Sequence, residues 1–511
     1  MNKDNRKTIV IILLIIFTTI LVRGLLVYYS NYTADDSFIT FRYVENIASG
    51  KGFVYNQGER VLGTTTPLYT LLLALLVKLG LPIVWVARII NIGADCLTGI
   101  LIFLLLRKFK LGVATFAAFF YVLFPRVIVW SIAGMETSLY VLFIVASLYS
   151  YYKENFNLTF LFLGLTFLTR VDGIILGLAV FLDFVLRYKK IPTKIVLGSF
   201  GVVLPWLIFS FVYFGSPIPN SVAGKNALYS GTIWETPKWR IFWEFLFLKT
   251  KIGWPLLALS LGGIYRVLTK AKSYTIIVIW TFLYFFFFFF SETKIHIWYY
   301  VPFYLGYLIL VALGLGFVFE KTERIRMKWS DLTWHKTKIL LNPKTLRTIL
   351  LSGVLILVGL IYFQQMKRTF RLVTGEQMAL EAVHKKIGLW LLENTQAGDT
   401  VCATDIGYMG YYSGRHILDQ DGLVSPQAIP FIKGRNRLGL LKKYKPAYFV
   451  TGFYGPYFSQ VIQSEWFKKN YEKQATFNTR SVKPDRTKIS LVDLDFHVCE
   501  YNIYKRIYLT N

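Results

Sequence analysis

The chain has 511 residues, of which 55% are hydrophobic and 17% aromatic, and its formal net charge is +28 at pH 7. The mean hydropathy of +0.47 and repeated apolar runs of about 20 residues exclude an ordinary globular protein and indicate a polytopic membrane protein. The positive charge does not indicate a nucleic-acid partner. Much of the Lys and Arg lies in short loops between the apolar runs, and the tail carries no RNA- or DNA-binding motif.

Eleven apolar segments are predicted to cross the membrane as α-helices. The first is too long for a removed signal peptide and lacks a small-residue cleavage site, so we expect it to be retained. The predicted spans are 8–29, 84–106, 112–131, 136–152, 156–169, 172–187, 194–214, 252–268, 274–290, 300–320 and 346–364.

The apolar segment Pro67–Gly80 is short for a span. If it lies in the outer leaflet without crossing, the basic clusters between the spans all fall on one side of the membrane, as the positive-inside rule requires. If it crosses, every later loop changes side. We therefore predict eleven spans with the N terminus in the cytoplasm. The first outer loop, 30–83, and everything after Phe363 then lie outside.

Composition divides the chain into a membrane module, 1–365, and a soluble domain, 366–511. A helical pattern at Gln377–Asn394 precedes several strand-like runs, which predicts a small α/β domain. The strand-like runs are Thr400–Thr404, His416–Leu418, Ala447–Thr451, Ile489–Val492 and His497–Tyr504. Three carboxylates, Asp405, Asp419 and Asp421, fall at predicted strand ends, where they either form turns or bind a ligand.

Ionisable and aromatic side chains collect at the outer ends of the predicted spans. Asp35 and Asp36 follow the first span directly, with Arg42 one to two helical turns on. A carboxylate pair beside a base at a bilayer surface is a candidate site, although the same acids could simply cap the helix that follows. The other candidates on this face are Glu136, Arg170, Asp172, Asn220, Lys225, Lys294, His296, Trp298, Tyr299 and Tyr300. Capping, ion pairing and membrane-interface roles remain open for these residues.

These residue types suit a substrate that is half lipid and half polar. Lys and Arg bind phosphate, and a carboxylate can act as general base on a hydroxyl. No Cys or His spacing indicates a metal site. The adjacent aspartates could hold a divalent cation, but no third ligand lies near them in the sequence, so no cofactor is expected to be obligatory. Cys402 and Cys499 could form a disulfide if the tail is extracytoplasmic.

Six motifs in a fixed order carry a resemblance to a known family. They read DDSFITFRYVENIASGKGFVYNQGERVLGTTTPLYTLLLALL, GMETSLY, FLTRVDG, YFGSPIPN, IWYYVP and TDIGYMGYYSGRHILDQDGLVSP. The set resembles the bacterial polyprenyl-phosphate-sugar-dependent glycosyltransferases of the GT-C fold, nearest to the subgroup with the mycobacterial terminal arabinofuranosyltransferases. Positions 63–66 read GTTT where many relatives have GYTN or GYSN, and Val171–Asp172 replace a common Pro–Glu. The sugar and acceptor could therefore differ from those of the best-known members.

The resemblance implies a multi-pass enzyme of the cytoplasmic membrane with juxtamembrane helices in its first outer loop and an early catalytic aspartate, matching Asp35 or Asp36. It also implies a polyprenyl-monophosphate sugar donor, used on the outer face without a nucleotide. The acceptor would be a hydroxyl of a cell-envelope glycan, glycolipid or protein, with the tail capping the site and offering a surface to a polymeric acceptor.

We hypothesise a single inverting displacement, with Asp35 or Asp36 as general base. Arg42, Lys225 or Lys294 would stabilise the departing polyprenyl phosphate, and Glu136 would orient a hydroxyl. Two alternatives are an oligosaccharide polymerase or ligase, which uses a pyrophosphate-linked donor, and a flippase. A flippase would place charged residues inside the spans.

Overall fold

The computed structural model describes residues 3–232, 235–246, 253–329, 343–452, 455–479 and 500–507. The part of the chain before the tail is helical, and the helices are numbered in chain order. They are α1 (Lys3–Ser30), α2 (Asp35–Ala48), α3 (Pro67–Lys78), α4 (Ile83–Leu106), α5 (Leu111–Val122), α6 (Pro125–Ile132), α7 (Thr137–Tyr152), α8 (Phe156–Thr169), α9 (Ile174–Tyr188), α10 (Thr193–Phe214), α11 (Asn220–Tyr229), α12 (Lys238–Phe245), α13 (Gly253–Lys270), α14 (Thr275–Phe290), α15 (Tyr300–Trp329) and α16 (Pro343–Leu380).

Each predicted span coincides with a helix, except that 112–131 forms two. Helices α5 and α6 meet at a bend of 52°. The break falls before Pro125, which has no N–H to donate and whose ring disfavours helical geometry at Phe124. Within the described residues, five helices are long and apolar enough to cross a membrane individually, and the bent pair would be a sixth. The count of eleven crossings and the side of the N terminus remain predictions.

The segment Pro67–Gly80 forms the 12-residue helix α3, which ends at Lys78. Tyr69 and Leu73 are buried against the rest of the protein, whereas Leu71 and Leu75 are 44% and 60% exposed. A short helix with a second, exposed apolar face suits a position at the membrane surface rather than across it. The leaflet in which α3 lies remains a prediction.

The tail continues α16 without interruption through the predicted domain boundary at residue 365. A π-helical turn, Glu381–Lys385, then leads into α17. The remaining elements are α17 (Lys386–Asn394), β1 (Thr400–Ala403), α18 (Ile406–Ser413), β2 (His416–Asp419), α19 (Ile429–Lys433), α20 (Arg437–Tyr444), β3 (Tyr448–Val450), α21 (Gly455–Gln463), α22 (Glu465–Asn470), β4 (Tyr471–Asn478) and β5 (Glu500–Arg506).

The five described strands form one sheet in the order β2–β1–β3–β5–β4. Strand β1 runs parallel to β2 and β3, and β5 is antiparallel to β3 and β4. The predicted α/β class and the runs at residues 400, 416 and 447 are confirmed. The predicted final run appears as β5, beginning at Glu500, whereas Ile489–Val492 lies outside the described residues. Strand β4 was not predicted, since half of its eight side chains are polar and exposed at the sheet edge.

Successive strand residues point to opposite faces of the sheet, so the tail has a core on each side. Val401 and Ala403 of β1 face α17, and Cys402 between them faces α20. The thiol of Cys402 is therefore buried in an apolar core. Its proposed partner, Cys499, lies outside the described residues, and the disulfide remains a prediction.

Candidate active site

Asp35 and Asp36 occupy the first turn of α2, where negative charge stabilises a helix through its dipole. The N-cap residue of α2 is Ala34, and no side chain caps this helix. Consecutive residues of an α-helix point about 100° apart, so the two carboxylates enter different surroundings. The expectation that one of them caps α2 is therefore wrong.

Asp35 caps a different helix, α18 of the tail. Its carboxylate accepts hydrogen bonds from the backbone N–H groups of Gly407 and Tyr408, at 3.1 and 3.0 Å. Its Oδ1 atom also lies 3.1 Å from His384 Nδ1. The N-cap residue of α18, Asp405, makes no capping bond of its own. Asp35 thus satisfies amides that the N terminus of α18 leaves without partners.

Asp36 points into a cavity and makes no hydrogen bond or ion pair with another side chain in the part of the chain that the structure describes. Burial raises the pKa of Asp36 to about 6; Lys225 opposes this shift, and Asp35, Glu136 and Asp405 add to it. A carboxylate that is open to a cavity and whose pKa lies just below neutral pH is suited to accept a proton.

Two adjoining chambers share Asp36, Ile39, Lys225 and Leu423 as a common wall. The tail-side chamber has a volume of about 320 Å³. Its polar and aromatic lining is Asp35, Asp36, Lys225, Tyr229, Lys294, His296, Glu376, His384, Asp405, Asp419, Asp421 and Tyr501. The membrane-side chamber has a volume of about 70 Å³. Its polar and aromatic lining is Asp36, Thr40, Thr64, Thr65, Thr66, Glu136, Arg170, Ser221, Lys225, Trp298 and Tyr299.

Arg170 organises the membrane-side chamber. It pairs with Glu136 at 3.3 Å and with Asp172 at 3.0 Å, and its guanidinium stacks over the ring of Tyr299 at 4.6 Å. The hydroxyl of Tyr284 also donates to Asp172, at 3.2 Å. Glu136 and Arg170 are both buried, so each needs the other to offset the cost of desolvation. Of the alternatives left open for Arg170 and Asp172, the structure shows ion pairing.

The basic side chains of the cavity differ in charge state. Burial favours the neutral amine of Lys225, but Tyr299 and Asp36 outweigh it and hold the pKa of Lys225 above its ordinary value. Burial lowers the pKa of Lys294 despite the carboxylates around it. Burial, together with the charges of Lys225 and Lys294, holds the pKa of His296 well below its usual range. His296 is therefore neutral at pH 7, and it stacks on Trp298 at 4.5 Å.

Arg42 lies outside both chambers. Its guanidinium donates to the carbonyls of Tyr55, Gly410 and Arg415 at 2.9, 2.7 and 2.6 Å and stacks over the Tyr55 ring. All three guanidinium nitrogens are engaged with the protein, so we remove Arg42 from the candidate phosphate ligands.

Asn220 is also outside the cavity lining. Its side chain donates to the carbonyls of Gly422 and Leu423 at 2.7 and 3.1 Å, so it fastens α11 to the tail. The backbones approach closely here: a Cβ atom at Gly224 would lie 2.8 Å from the Gly422 oxygen. Tyr300, a candidate from the interface motif, is buried among aromatic rings and lines neither chamber.

The tail supplies site residues that the sequence did not single out, namely Glu376, His384 and Tyr501. Glu376 and His384 lie eight residues apart on one helical segment, a spacing that places them on one face, but nothing in the sequence relates them to α2. Of the two roles considered for the aspartates at strand ends, turn formation is observed for Asp419, and ligand binding remains a prediction. Asp419 accepts from the N–H of Asp421 at 2.9 Å, shaping the turn, and it also lines the chamber.

Among the described residues, no group of His, Cys, Asp and Glu side chains is arranged to hold a metal ion. Several carboxylates line the tail-side chamber, but Asp35, Asp419 and Asp421 are bound to backbone amides or to Arg437. The arrangement therefore offers one open carboxylate, Asp36, between a cationic and a carboxylate-rich wall.

Comparison with known proteins relates this geometry to a fold. Residues 368–498 match a family model described as a domain of unknown function, DUF8728. No curated protein sequence matches the chain. ArnT from Cupriavidus metallidurans bound to undecaprenyl phosphate superposes with a TM-score of 0.60 at 14% identity, covering 96% of this chain and 97% of ArnT.

The archaeal oligosaccharyltransferase AglB from Archaeoglobus fulgidus, in complex with an inhibitory peptide and a dolichol-phosphate, also has a TM-score of 0.60, at 13% identity. The match covers 96% of this chain and 75% of AglB. The chain is thus a polytopic α-helical membrane protein of the GT-C fold with a C-terminal domain that contains a small sheet.

Proposed function

We propose that this protein is a membrane glycosyltransferase that moves a sugar from a polyprenyl-monophosphate donor to a hydroxyl group of a cell-envelope glycan, glycolipid or protein. The GT-C fold supports the class, and the lipids bound to ArnT and AglB support a polyprenyl-phosphate carrier. The observation that carries the proposal is the open carboxylate of Asp36 between Lys225 and the carboxylates of the tail. In this proposal the cavity opens on the outer face of the cytoplasmic membrane, with the N terminus inside and the tail outside.

Asp36 acts as the general base in a single displacement. The acceptor hydroxyl oxygen attacks the anomeric carbon while the bond from that carbon to the phosphate oxygen breaks, and the electron pair leaves with the polyprenyl phosphate. The hydroxyl proton passes to Asp36, and attack from the face opposite the phosphate inverts the anomeric centre. Asp35 is not available for this role, because two amides and His384 hold it.

The membrane-side chamber binds the donor phosphate. Lys225 supplies a cation beside Asp36, and the hydroxyls of Thr64 and Thr66, 3.0 Å apart, supply further donors. Arg170 frames the chamber without binding the phosphate itself, because all three of its guanidinium nitrogens donate to Asp172 or Glu136, so the hydrogen bonds to the phosphate come from Lys225 and the threonines. Charge-assisted hydrogen bonds of this kind stabilise the negative charge that develops on the leaving phosphate.

The tail-side chamber binds the acceptor. Carboxylates accept hydrogen bonds from sugar hydroxyls, and Glu376 and Asp405 line this wall. Lys294 and the ring of Tyr229, 5.9 Å apart, complete a surface with donors and an apolar face. The tail therefore closes the acceptor side of the site.

The experiment uses the full-length protein in proteoliposomes. Undecaprenyl-monophosphate glucose, mannose, galactofuranose and arabinofuranose are compared with an undecaprenyl-pyrophosphate oligosaccharide, with a cell-envelope glycan extract as acceptor. Arabinofuranose is included because of the resemblance in sequence to the arabinofuranosyltransferase subgroup. We expect release of undecaprenyl monophosphate from one of these donors and no release by D36N.

Three results would contradict the proposal or part of it. Release of undecaprenyl pyrophosphate would favour a ligase or polymerase, a second candidate that the similarity to AglB supports. Movement of intact lipid-linked sugar across the bilayer without release of the carrier would favour a flippase. Retention of wild-type turnover by D36N would remove Asp36 as the base, whichever donor is used.

A further inference from the structure

A chain of hydrogen bonds joins the helix of the proposed base to three separate parts of the tail. His384 Nδ1 lies 3.1 Å from Asp35 Oδ1, and His384 Nε2 lies 3.0 Å from the hydroxyl of Tyr501. That hydroxyl donates to Asp405 Oδ2 at 3.0 Å. His384 sits on the π-helical turn between α16 and α17, a type of irregularity that is frequent at functional sites.

Helix α18 is held by α2 at both of its ends. Asp35 accepts from the amides at the N terminus of α18, and Arg42 donates to the carbonyl of Gly410 near its C terminus. The carboxylate of Asp35 thus lies at the positive end of the α18 dipole, and the guanidinium of Arg42 lies near its negative end. Because Asp36 is the next residue after Asp35, fixing the Asp35 carboxylate also fixes the rotation of α2 that directs Asp36 into the cavity.

We propose that His384 and Tyr501 are positioning residues that hold Asp35 on α18 and thereby aim Asp36 at the acceptor hydroxyl. The proposal rests on the proposed function, because it takes Asp36 as the base. It assigns a role to the segment that matches the domain of unknown function. This segment contains α18 and His384, which hold helix α2 in position.

With Asp405 ionised, the chain of hydrogen bonds is complete only when His384 is an imidazolium. Three contacts need three protons: one on Nδ1 toward Asp35, one on Nε2 toward Tyr501, and the phenol proton toward Asp405. When His384 is neutral, the hydroxyl of Tyr501 has one proton for two acceptors, His384 Nε2 and the carboxylate of Asp405. Burial opposes protonation of His384, but the hydrogen bond and charge of Asp35, with Asp405 adding, raise its pKa above the ordinary value.

The titratable groups around His384 come from several elements. Those that line the same chamber are Asp35 and Asp36 on α2, Asp405 before α18, Asp419 at the end of β2 and Asp421 just after it, Tyr501 on β5, Glu376 on α16, Lys225 and Tyr229 on α11, and Lys294 and His296 across the cavity. Tyr408 of α18 donates its amide to Asp35. On the flanking elements, Lys386 of α17 and Glu472 and Lys473 of β4 are exposed to solvent.

The test measures sugar transfer by full-length variants in proteoliposomes, with the donor that the wild-type protein uses. H384L and Y501F should lower kcat about 10- to 100-fold with the KM of the donor within about threefold, because misplaced catalytic groups act on the chemical step. H384Q keeps one N–H donor and one acceptor, as a neutral imidazole does, so its kcat at neutral pH should lie between those of H384L and the wild type. Y504F, on the same strand with its ring in the opposite core, is the matched control and should behave as wild type.

Two further readouts separate positioning from a general structural role. The wild-type kcat should fall as the pH rises through the raised pKa of His384, and H384Q, which does not titrate, should lack this alkaline limb. Hydrogen exchange at the amides of Gly407 and Tyr408 should accelerate in H384L, since these amides donate to Asp35.

Wild-type kcat in both H384L and Y501F, or an unchanged alkaline limb in H384Q, would overturn the proposal. If H384L does not fold, as judged by thermal unfolding in detergent, Y501F and the pH profile of H384Q still decide. Failure of the proposed function is distinguishable, because the wild-type protein would then release no undecaprenyl monophosphate, or D36N would transfer sugar as wild type does, whereas failure of positioning alone leaves the wild type active and D36N inactive.

Discussion

The two chambers on either side of Asp36 balance their charges in different ways. In the membrane-side chamber, Arg170 is matched by Glu136 and Asp172, and the volume is about 70 Å³. The tail-side chamber is larger, about 320 Å³, and most of its carboxylates also hold a loop or helix end of the tail. In the small chamber the arginine is already paired with two carboxylates, and Lys225 is an additional cation, so this chamber suits one fixed anionic group. The larger, carboxylate-rich chamber suits a polyhydroxylated ligand.

The largest expected effect concerns Asp36, which lines both chambers. D36N should lower kcat about 10²- to 10⁴-fold, the usual range for removing a general base, with little change in the KM of the donor. D35N is the informative comparison, because it keeps the base and only weakens the cap of α18 by leaving one accepting oxygen for two amides, so its defect should include a lower thermal unfolding temperature. Equal kcat in wild type and D36N would assign the open carboxylate no chemical role.

The next effect tests the assignment of the donor phosphate to Lys225, which lies in the wall that the two chambers share. K225M removes the cation beside Asp36 and should raise the KM of the donor about 10- to 100-fold, since a hydrogen bond to a charged group contributes about 1.5–3 kcal/mol. K225R keeps the charge and should recover part of this loss. The KM of the acceptor should stay within about twofold in both variants. A larger change for the acceptor than for the donor would reverse the proposed assignment of the chambers.

These predictions show which features the sequence could provide. Apolar runs predicted nearly every long helix. Residues 112–131 were predicted as one span, and the break before Pro125 follows from the known effect of proline on helices. The grouping of Glu136, Arg170, Lys225 and Lys294 on one face also followed from the order of the spans.

The roles of Asp35 and Asp36 could not be told apart in the sequence, for a physical reason. What distinguishes Asp35 is contact with the backbone amides of Gly407 and Tyr408, 372 and 373 residues away. Backbone amides are the same for every residue type and so leave no pattern to detect. Arg42 is a similar case, because its partners are carbonyl groups of the tail.

A smaller effect is expected in the pH dependence of sugar transfer, because Asp36, in the wall that the two chambers share, must be ionised. A general base must be ionised, and the pKa of Asp36 is raised to about 6, so activity is present above this pH and lost below it. At pH 5 about one-tenth of Asp36 is ionised, which predicts an approximately tenfold lower kcat than at pH 7.5. Initial rates between pH 4.5 and 8 in proteoliposomes measure this limb. A midpoint near pH 4 would mean that another group, or an unburied Asp36, acts as base.

The smallest expected effect concerns the tail-side chamber alone. Burial raises the pKa of Glu376 to about 7, against a hydrogen bond from Tyr32, so about half of it is already neutral at pH 7. E376Q keeps the acceptor oxygen that Tyr32 uses, at 2.9 Å, and removes only the ionised form. We expect the KM of the acceptor to rise about two- to fivefold, in line with a single hydrogen bond, and the KM of the donor to stay unchanged.

The matched control for E376Q is E381Q, one and a half turns further along, where Glu381 is exposed and accepts a hydrogen bond from Gln377 instead of lining the cavity. Acceptor titrations of both variants at pH 7 and pH 8 make the measurement sharper. Glu376 is more fully ionised at pH 8, so the difference between E376Q and wild type should widen there, while E381Q stays level with wild type. An E376Q effect on the donor instead would mean that the two chambers do not divide the substrates as proposed.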